Sequence, residues 1–313
     1  MTQDVIKAVV VDPAAVGRLS IAEVAAPQPG PHEALVRVEA ISLNRGEVKT
    51  ALSDAAPGAR PGWDFAGTVL RAAESGGPAA GARVVGVMAT GSWAQQVAAM
   101  PFMMAELPPG ISIPQAAALP VAGLTAWASL RRRPELKGRR VLITGATGGV
   151  GVFAIQLAAH WGAEVTAVIR SPEREALVRK LGAAAVAYGP MLEGAVGNYD
   201  LILESVGGQT LGSALGRLNP GGEVVLFGAS DSPVTTFDAS AFRAGGTSLY
   251  GLFLGYEFQH SPPGPALAEL AGLVAAGTLD PMIEIEAPWE RIAEVAADLV
   301  ARRYTGKAVL TVQ

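Results

Sequence analysis

One segment limits the fold of this 313-residue chain more than any other: Val141-Leu-Ile-Thr-Gly-Ala-Thr-Gly-Gly-Val-Gly151, an apolar strand that runs straight into a glycine-rich turn and then into a helix-forming stretch. In that setting the glycines mean more than a tight turn. Gly148 and Gly151 take the second and third places of G-x-G-x-x-G, with Ala146 in the first. A glycine at 148 lets a diphosphate approach the backbone, and one at 151 lets the helix pack closely on the strand. The mouth of that helix then supplies unpaired amides and the positive end of its dipole. The segment predicts a dinucleotide site made from the backbone of Ala146, Thr147, Gly148, Gly149, Val150 and Gly151. No Gly-Lys-Ser/Thr follows, which excludes a P-loop.

The surrounding texture predicts an α/β fold. Strand-like runs at 141–145, 164–169, 184–188, 199–205 and 222–228 alternate with helical patterns at 150–161, 172–181 and 210–218, and a further strand-like run spans 248–254. Continuous apolar strands between amphipathic helices imply a parallel sheet covered on both faces. The first ~110 residues read differently. Ile6–Val11, Ala34–Ala40, Gly67–Arg71 and Arg83–Met88 are short β-branched or alternating runs bounded by turns, the pattern of a small, partly open β-barrel. A helical region opens at Pro114 and runs to about Leu130. Helices near 266–276 and 289–302 and a strand at 308–312 close the chain.

Bulk composition narrows the partners. Half of the chain is apolar, enough for large cores, and its net charge of −4 argues against nucleic acid. The single basic run, Arg131-Arg132-Arg133, is expected to be a solvated loop. There is no cysteine, hence no disulfide, thiolate nucleophile or cysteine-bearing zinc site. The opening MTQDVIKAVVV lacks the marks of a signal peptide, and the apolar stretch 116–130 is interrupted by Pro120 and Gly123, so a cytoplasmic protein with no membrane partner is expected.

The end of the second strand bears on the choice of dinucleotide. Asp or Glu there would accept from a ribose 2′-OH; this strand instead ends Val168-Ile169-Arg170-Ser171, with Arg174 one turn on. Two guanidiniums and a hydroxyl suit a 2′-phosphate, so the expected cofactor is NADPH. A short-chain dehydrogenase would need a Tyr-x-x-x-Lys pair, and Tyr188, Tyr199, Tyr250, Tyr256 and Tyr304 are followed four places later by Leu192, Leu203, Leu254, His260 and Ala308. That alternative fails.

Further landmarks are Ser42-Leu-Asn-Arg-Gly-Glu47, Pro61-Gly-Trp-Asp-Phe-Ala-Gly67, Gly91-Ser-Trp-Ala-Gln95, Ala118-Leu-Pro-Val-Ala-Gly-Leu-Thr-Ala126 and Thr305-Gly-Lys-Ala-Val-Leu310. With the glycine segment, they make the whole chain resemble the medium-chain dehydrogenase/reductase superfamily, specifically its zinc-free quinone oxidoreductase branch. Where the zinc-dependent branch has Gly-His-Glu, this chain reads Gly62-Trp63-Asp64, and no metal is expected. The resemblance implies a GroES-like barrel domain (1–112 and 257–313) around a Rossmann, doubly wound parallel-sheet domain (113–256). It also implies hydride transfer from NADPH to a quinone or an α,β-unsaturated carbonyl compound, and a homodimer formed through the 248–254 run. Carried over by position, Asn44 would orient substrate or nicotinamide. Lys49, where many relatives have tyrosine, would stabilise an enolate oxygen or contact phosphates. Thr125 would lie beside the nicotinamide, Phe227, Gly228, Ala229, Leu252 and Phe253 would offer it backbone contacts, and Tyr188 would pack near the adenosine. Asp64 is expected to hold its loop and Trp63 to form pocket wall. The acceptor pocket is expected in loops around 44–63, 88–93 and 240–260. An enoyl-thioester reductase, and a cofactor-binding protein of little turnover with a structural or sensing role, are the alternatives.

Overall fold

The computed structural model describes residues 4–243 and 245–313. The chain divides into two compact units, one taking it up to Leu124 together with Phe258–Gln313, the other being Thr125–Glu257.

The Thr125–Glu257 unit is built on a six-stranded sheet in the spatial order Ala185–Tyr188, Glu164–Ile169, Arg140–Ile143, Tyr199–Glu204, Leu218–Leu226, Ser248–Gly251. Every neighbouring pair is parallel. The chain winds outward from Arg140–Ile143 on one side, then returns to start again on the other at Tyr199–Glu204. In such doubly wound sheets, ligands bind beyond the carboxyl ends of the two strands where the order reverses. Those ends are Ile143 and Glu204. Val141, Leu142, Ile143, Leu201, Ile202 and Leu203 are completely buried, as two-sided cover requires of central parallel strands.

The other unit carries a sheet ordered Ile283–Pro288, Lys307–Thr311, Ala34–Ser42, Asp64–Arg71, Arg83–Val87, Met104–Glu106, with Gln96–Ala99 also paired to Ala34–Ser42. A separate antiparallel hairpin joins Val5–Val11 to Leu19–Ala25. The last strand returns from the far end of the chain to pair with Ala34–Ser42, setting Val309 opposite Ser42, which in turn faces Asp64 across the next strand.

Several local expectations need correction. The helical region after Ile113 is broken into Ile113–Ala117 and Pro120–Arg131, because Pro120 has no N–H to continue a helix but is well suited to start one. The strand expected over 248–254 ends at Gly251, and Leu254–His260 is a helix. Arg45–Ser53, expected among strands and turns, is a helix whose start is marked in the sequence by Asn44-x-x-Glu47, a capping-box spacing.

The arginine triplet leaves its helix for an exposed turn, as expected, but also has partners within the fold. Arg131, the last residue of its helix, has its guanidinium over the rings of Trp127 (5.2 Å) and Trp161 (4.7 Å). Arg132 donates through Nε and Nη2 to both oxygens of Glu223 (3.1 and 3.0 Å) and lies 3.8 Å from the Tyr250 ring centroid. Arg133 donates to the Gly221 carbonyl. The run is held by internal partners. No helix among the described residues is long and apolar enough to cross a membrane.

Candidate functional site

The glycine turn follows the end of Arg140–Ile143, and the Gly149–His160 helix begins on it with Gly148 as its extended cap (φ −81°, ψ 172°). The Val152 N–H reaches back to the Gly148 carbonyl at 3.1 Å, so the amides of Gly149, Val150 and Gly151 stand at the helix mouth without an intrahelical acceptor. A Cβ at Gly151 would lie 2.4 Å from the Gly145 carbonyl oxygen and 2.7 Å from Ala146 backbone carbons. Backbone cannot yield there, so only glycine allows the helix to sit this close. At Gly148 the nearest atom to an added Cβ is the Gly145 oxygen at 3.3 Å; here the missing side chain leaves the approach to the amides open. Gly145 itself has φ +56°, and a Cβ on it would also meet Ser205 Oγ at 2.6 Å. The segment fits a dinucleotide diphosphate.

Across the point where strand order reverses stands a residue that sequence reasoning missed. Glu204, fully buried at the end of its strand, accepts from Thr144 Oγ1 (3.0 Å) and from the Val206 and Gly207 amides (2.9 and 3.0 Å), while Ser205 N–H donates to Thr144 Oγ1 (3.0 Å). Burial raises its pKa, with the Val206 and Gly207 N–H groups and then the Thr144 hydroxyl opposing the shift. The carboxylate thus ties the fingerprint strand to the 205–207 loop. In the sequence it was one more residue of the run YDLILES; only its pairing beside Thr144 shows what it holds.

At the end of Glu164–Ile169, Arg170 is exposed and Arg174 half-buried, and neither guanidinium has a hydrogen bond or ion pair among the described residues. Ser171 starts the turn Pro172–Arg174. Of the two neighbouring acids, Glu173 is exposed and forms no ion pair with either arginine, and Glu175 is occupied: it accepts from Tyr188 Oη at 2.5 Å and from Arg179 Nε at 2.7 Å. These bonds lower the Glu175 pKa and raise that of Tyr188. Tyr188 therefore sits beside the arginine loop, its strand paired to Glu164–Ile169, with its hydroxyl committed.

Further along the sheet, the Phe227 N–H is spent on the Glu204 carbonyl (3.0 Å) and the Leu252 N–H on the Leu226 carbonyl (2.9 Å). Backbone contacts from these two residues would run through their carbonyls. Gly228 lies against Ser205, with an added Cβ 3.2 Å from its carbonyl oxygen, and Ala229 follows. Phe253 is exposed, and Thr125 is buried in the Pro120–Arg131 helix.

Asn44 and Lys49 belong to the other unit and differ sharply. Asn44 is buried and fully engaged: Nδ2 donates to Glu47 Oε1 (2.9 Å) and Asp64 Oδ2 (2.8 Å), and Oδ1 accepts from Lys307 Nζ (2.7 Å). Orientation of a substrate by this amide would require one of those bonds to break. Lys307 also donates to the Leu43 carbonyl (3.1 Å) and pairs with Asp64 at 3.6 Å. Asp64 accepts in addition from Ser42 Oγ (2.8 Å) and from the Val121 N–H in the first turn of the Pro120–Arg131 helix (3.0 Å). The structural role expected of Asp64 is visible in these bonds. With one ammonium against two carboxyls, the cluster holds an acid too many. Burial, then the Asp64 charge, pushes the Glu47 pKa well above its ordinary value, and its Oε2 has no acceptor or donor among the described residues. Burial pulls the Lys307 pKa down, with Asp64 and Glu47 opposing. Lys49 is exposed on the Arg45–Ser53 helix, and its ammonium has no partner among the described residues.

Comparison with known proteins agrees with this geometry. Residues 30–109 match the alcohol dehydrogenase GroES-like domain family and residues 149–271 the zinc-binding dehydrogenase family. The chain belongs to the medium-chain dehydrogenase/reductase superfamily. It is 35% identical over 305 residues to the spectinabilin polyketide synthase system protein NorB of Streptomyces orinoci, covering 92% of this chain and 13% of that protein. It is 35% identical over 231 residues to the mouse mitochondrial NAD(P)H oxidoreductase RTN4IP1, covering 66% of this chain and 57% of that one. The chain thus spans less than two thirds of either relative. A mycobacterial protein solved in complex with NADPH superimposes with a TM-score of 0.84 at 26% identity, over 98% of this chain and 99% of the other.

Two outcomes follow. Gly151→Ala should destabilise the Thr125–Glu257 unit by about 1–3 kcal/mol through overpacking and abolish dinucleotide binding, read by thermal denaturation and calorimetry; wild-type affinity in the variant would contradict the packing argument. Because folded Glu47 holds its proton to higher pH than the unfolded carboxyl, the folded state binds more protons and stability falls as pH rises above about 4.5. Glu47→Gln should flatten that fall in denaturant titrations between about pH 5 and 8, and an unchanged slope would show that Glu47 is ionised.

Proposed function

We propose that the protein is an NADPH-dependent, zinc-independent reductase that passes hydride to a quinone or to the β-carbon of an α,β-unsaturated carbonyl compound. The observation that carries the reading is the pair of guanidiniums without a partner among the described residues, Arg170 and Arg174, in the turn just beyond the strand next to the glycine mouth. The mouth would hold the diphosphate with the amides of residues 149–151, and the two arginines with Ser171 would hold the 2′-phosphate as charge-assisted donors. When bound, the reduced nicotinamide supplies the hydride. The chain's task is to hold the acceptor and stabilise the negative oxygen that develops. Lys49, which stands where the resemblance places a tyrosine in many relatives and whose ammonium has no partner among the described residues, is the residue we assign to that oxygen. Zinc independence rests on the ligand positions, which here read Gly62-Trp63-Asp64, and on the lack of cysteine. The polyketide synthase relative favours a second reading with the same hydride chemistry, reduction of an enoyl thioester.

Stopped-flow oxidation of NADPH with 1,4-benzoquinone, a 2-alkenal and crotonyl-CoA separates the acceptors. Turnover with none of them, despite tight NADPH binding, would sink the reductase reading. In the same assay Arg170→Ala with Arg174→Ala should raise the NADPH KM by about tenfold or more, as loss of hydrogen bonds to a charged group predicts, and leave NADH nearly unchanged. Equal losses would rule out the 2′-phosphate role. We also propose that the Ser248–Gly251 strand, one edge of the six-stranded sheet, pairs with the same strand of a second copy. Light scattering at micromolar concentration should give twice the chain mass, and a monomer would refute it.

A further inference from the structure

Four arginines have a buried Nε with no hydrogen-bond partner among the described residues: Arg18, Arg45, Arg60 and Arg133. Three of them use their other nitrogens. Arg18 donates to the Ala55 carbonyl, Arg45 to Leu299 and Val300, and Arg133 to Gly221. Arg60 alone has no side-chain hydrogen bond or ion pair among the described residues, although it is only half exposed. Partial burial of a guanidinium without an acid to meet it is unfavourable, and burial is the only influence on its pKa, which is lowered.

The backbone that presents it is firmly held. Gly58 N–H and Ala59 C=O pair with Val11, Thr90 Oγ1 donates to the Arg60 carbonyl at 2.5 Å, and Pro61 and Gly62 accept from Trp93 and Ser92. A Cβ at Gly62 would lie 2.5 Å from Trp93, and one at Gly46 would lie 2.9 Å from Trp63. Arg60 therefore sits where the 44–63 segment is braced on the 88–93 segment, the two acceptor loops of the reading above that lie in this unit. None of the acids in or next to the segment pairs with Arg60: Glu47 and Asp64 lie in the buried cluster, and the exposed Asp54 accepts from Ser53 Oγ. The segment's cations without a partner among the described residues are Lys49 and Arg60.

We propose that Arg60 is a specificity-determining residue that recognises an anionic group, a carboxylate or a phosphate, carried by the acceptor at a distance from the reacting double bond. This deepens the reductase reading and rests on it. A guanidinium presents paired donors to either anion, and a rigid backbone lowers the cost of ordering it.

The test uses two pairs of acceptors that differ chiefly in a charge remote from the double bond: 6-oxooct-7-enoate against its methyl ester, and S-crotonyl-4′-phosphopantetheine against S-crotonyl pantetheine. The wild-type protein should show a KM lower by about tenfold or more for the charged member of one pair; the carboxylate pair or the thioester pair then identifies the source of the anion. Arg60→Gln should erase that preference with KM for the uncharged member within about twofold, and Arg60→Lys should restore part of it. Equal KM values for charged and uncharged members in the wild type, or a preference that survives Arg60→Gln, would overturn the proposal. Should no acceptor be turned over, the reductase reading falls, and dissociation constants of the same four compounds from tryptophan fluorescence decide the Arg60 question by the same criterion.

Discussion

Whether the Gly149–His160 helix can lie on the end of its strand is decided by the 2.4 Å between the Gly145 oxygen and the place where any other residue at 151 would put a carbon. The contact is backbone to backbone, so no rotamer change relieves it. It fixes the distance from the strand end to the helix mouth, and thereby the place of the three amides left without acceptors. Glu204 holds the opposite lip to the same strand through Thr144. Shift the helix outward and both lips lose their spacing.

A second constraint concerns charge. The chain is acidic overall, with a net charge of −4, yet its functionally placed acids face inward. Glu47 and Asp64 meet Asn44 and Lys307, Glu175 meets Tyr188 and Arg179, Glu204 meets backbone amides, and Glu223 meets Arg132. Four cations in the loops assigned to ligands have no partner among the described residues: Lys49, Arg60, Arg170 and Arg174. Net charge argues against a polyanion as partner, but it says nothing about these local cations, since electrostatic recognition of a small anion depends on which charges have been cancelled nearby.

Much of the dinucleotide unit was legible because buried parallel strands leave a plain record: 164–169 matches its observed strand residue for residue, and the glycines at 148 and 151 announced their own spacing. The first unit was harder to read. The Arg45–Ser53 helix is short, mixed in polarity and lodged among strands; its one local sign was the spacing of Asn44 and Glu47. The sequence assigned Asn44 the orientation of a ligand, and a single asparagine does not show its partners within the fold. The lysine that binds it lies 263 residues further on, a separation no local pattern spans. Two partners of the arginine triplet, Glu223 and Trp161, are likewise remote in sequence, although Trp127 lies only four residues before Arg131.

The seating of Arg131 between Trp127 and Trp161 has an optical corollary. The chain has five tryptophans, and these two belong to the Thr125–Glu257 unit while Trp63, Trp93 and Trp289 belong to the other. The cation-flanked pair is half-buried, whereas Trp93 and Trp289 are sealed in the barrel core. Each unit thus carries its own chromophores in a distinct dielectric setting, and the order in which emission shifts to the red during denaturation reports which half of the molecule opens first.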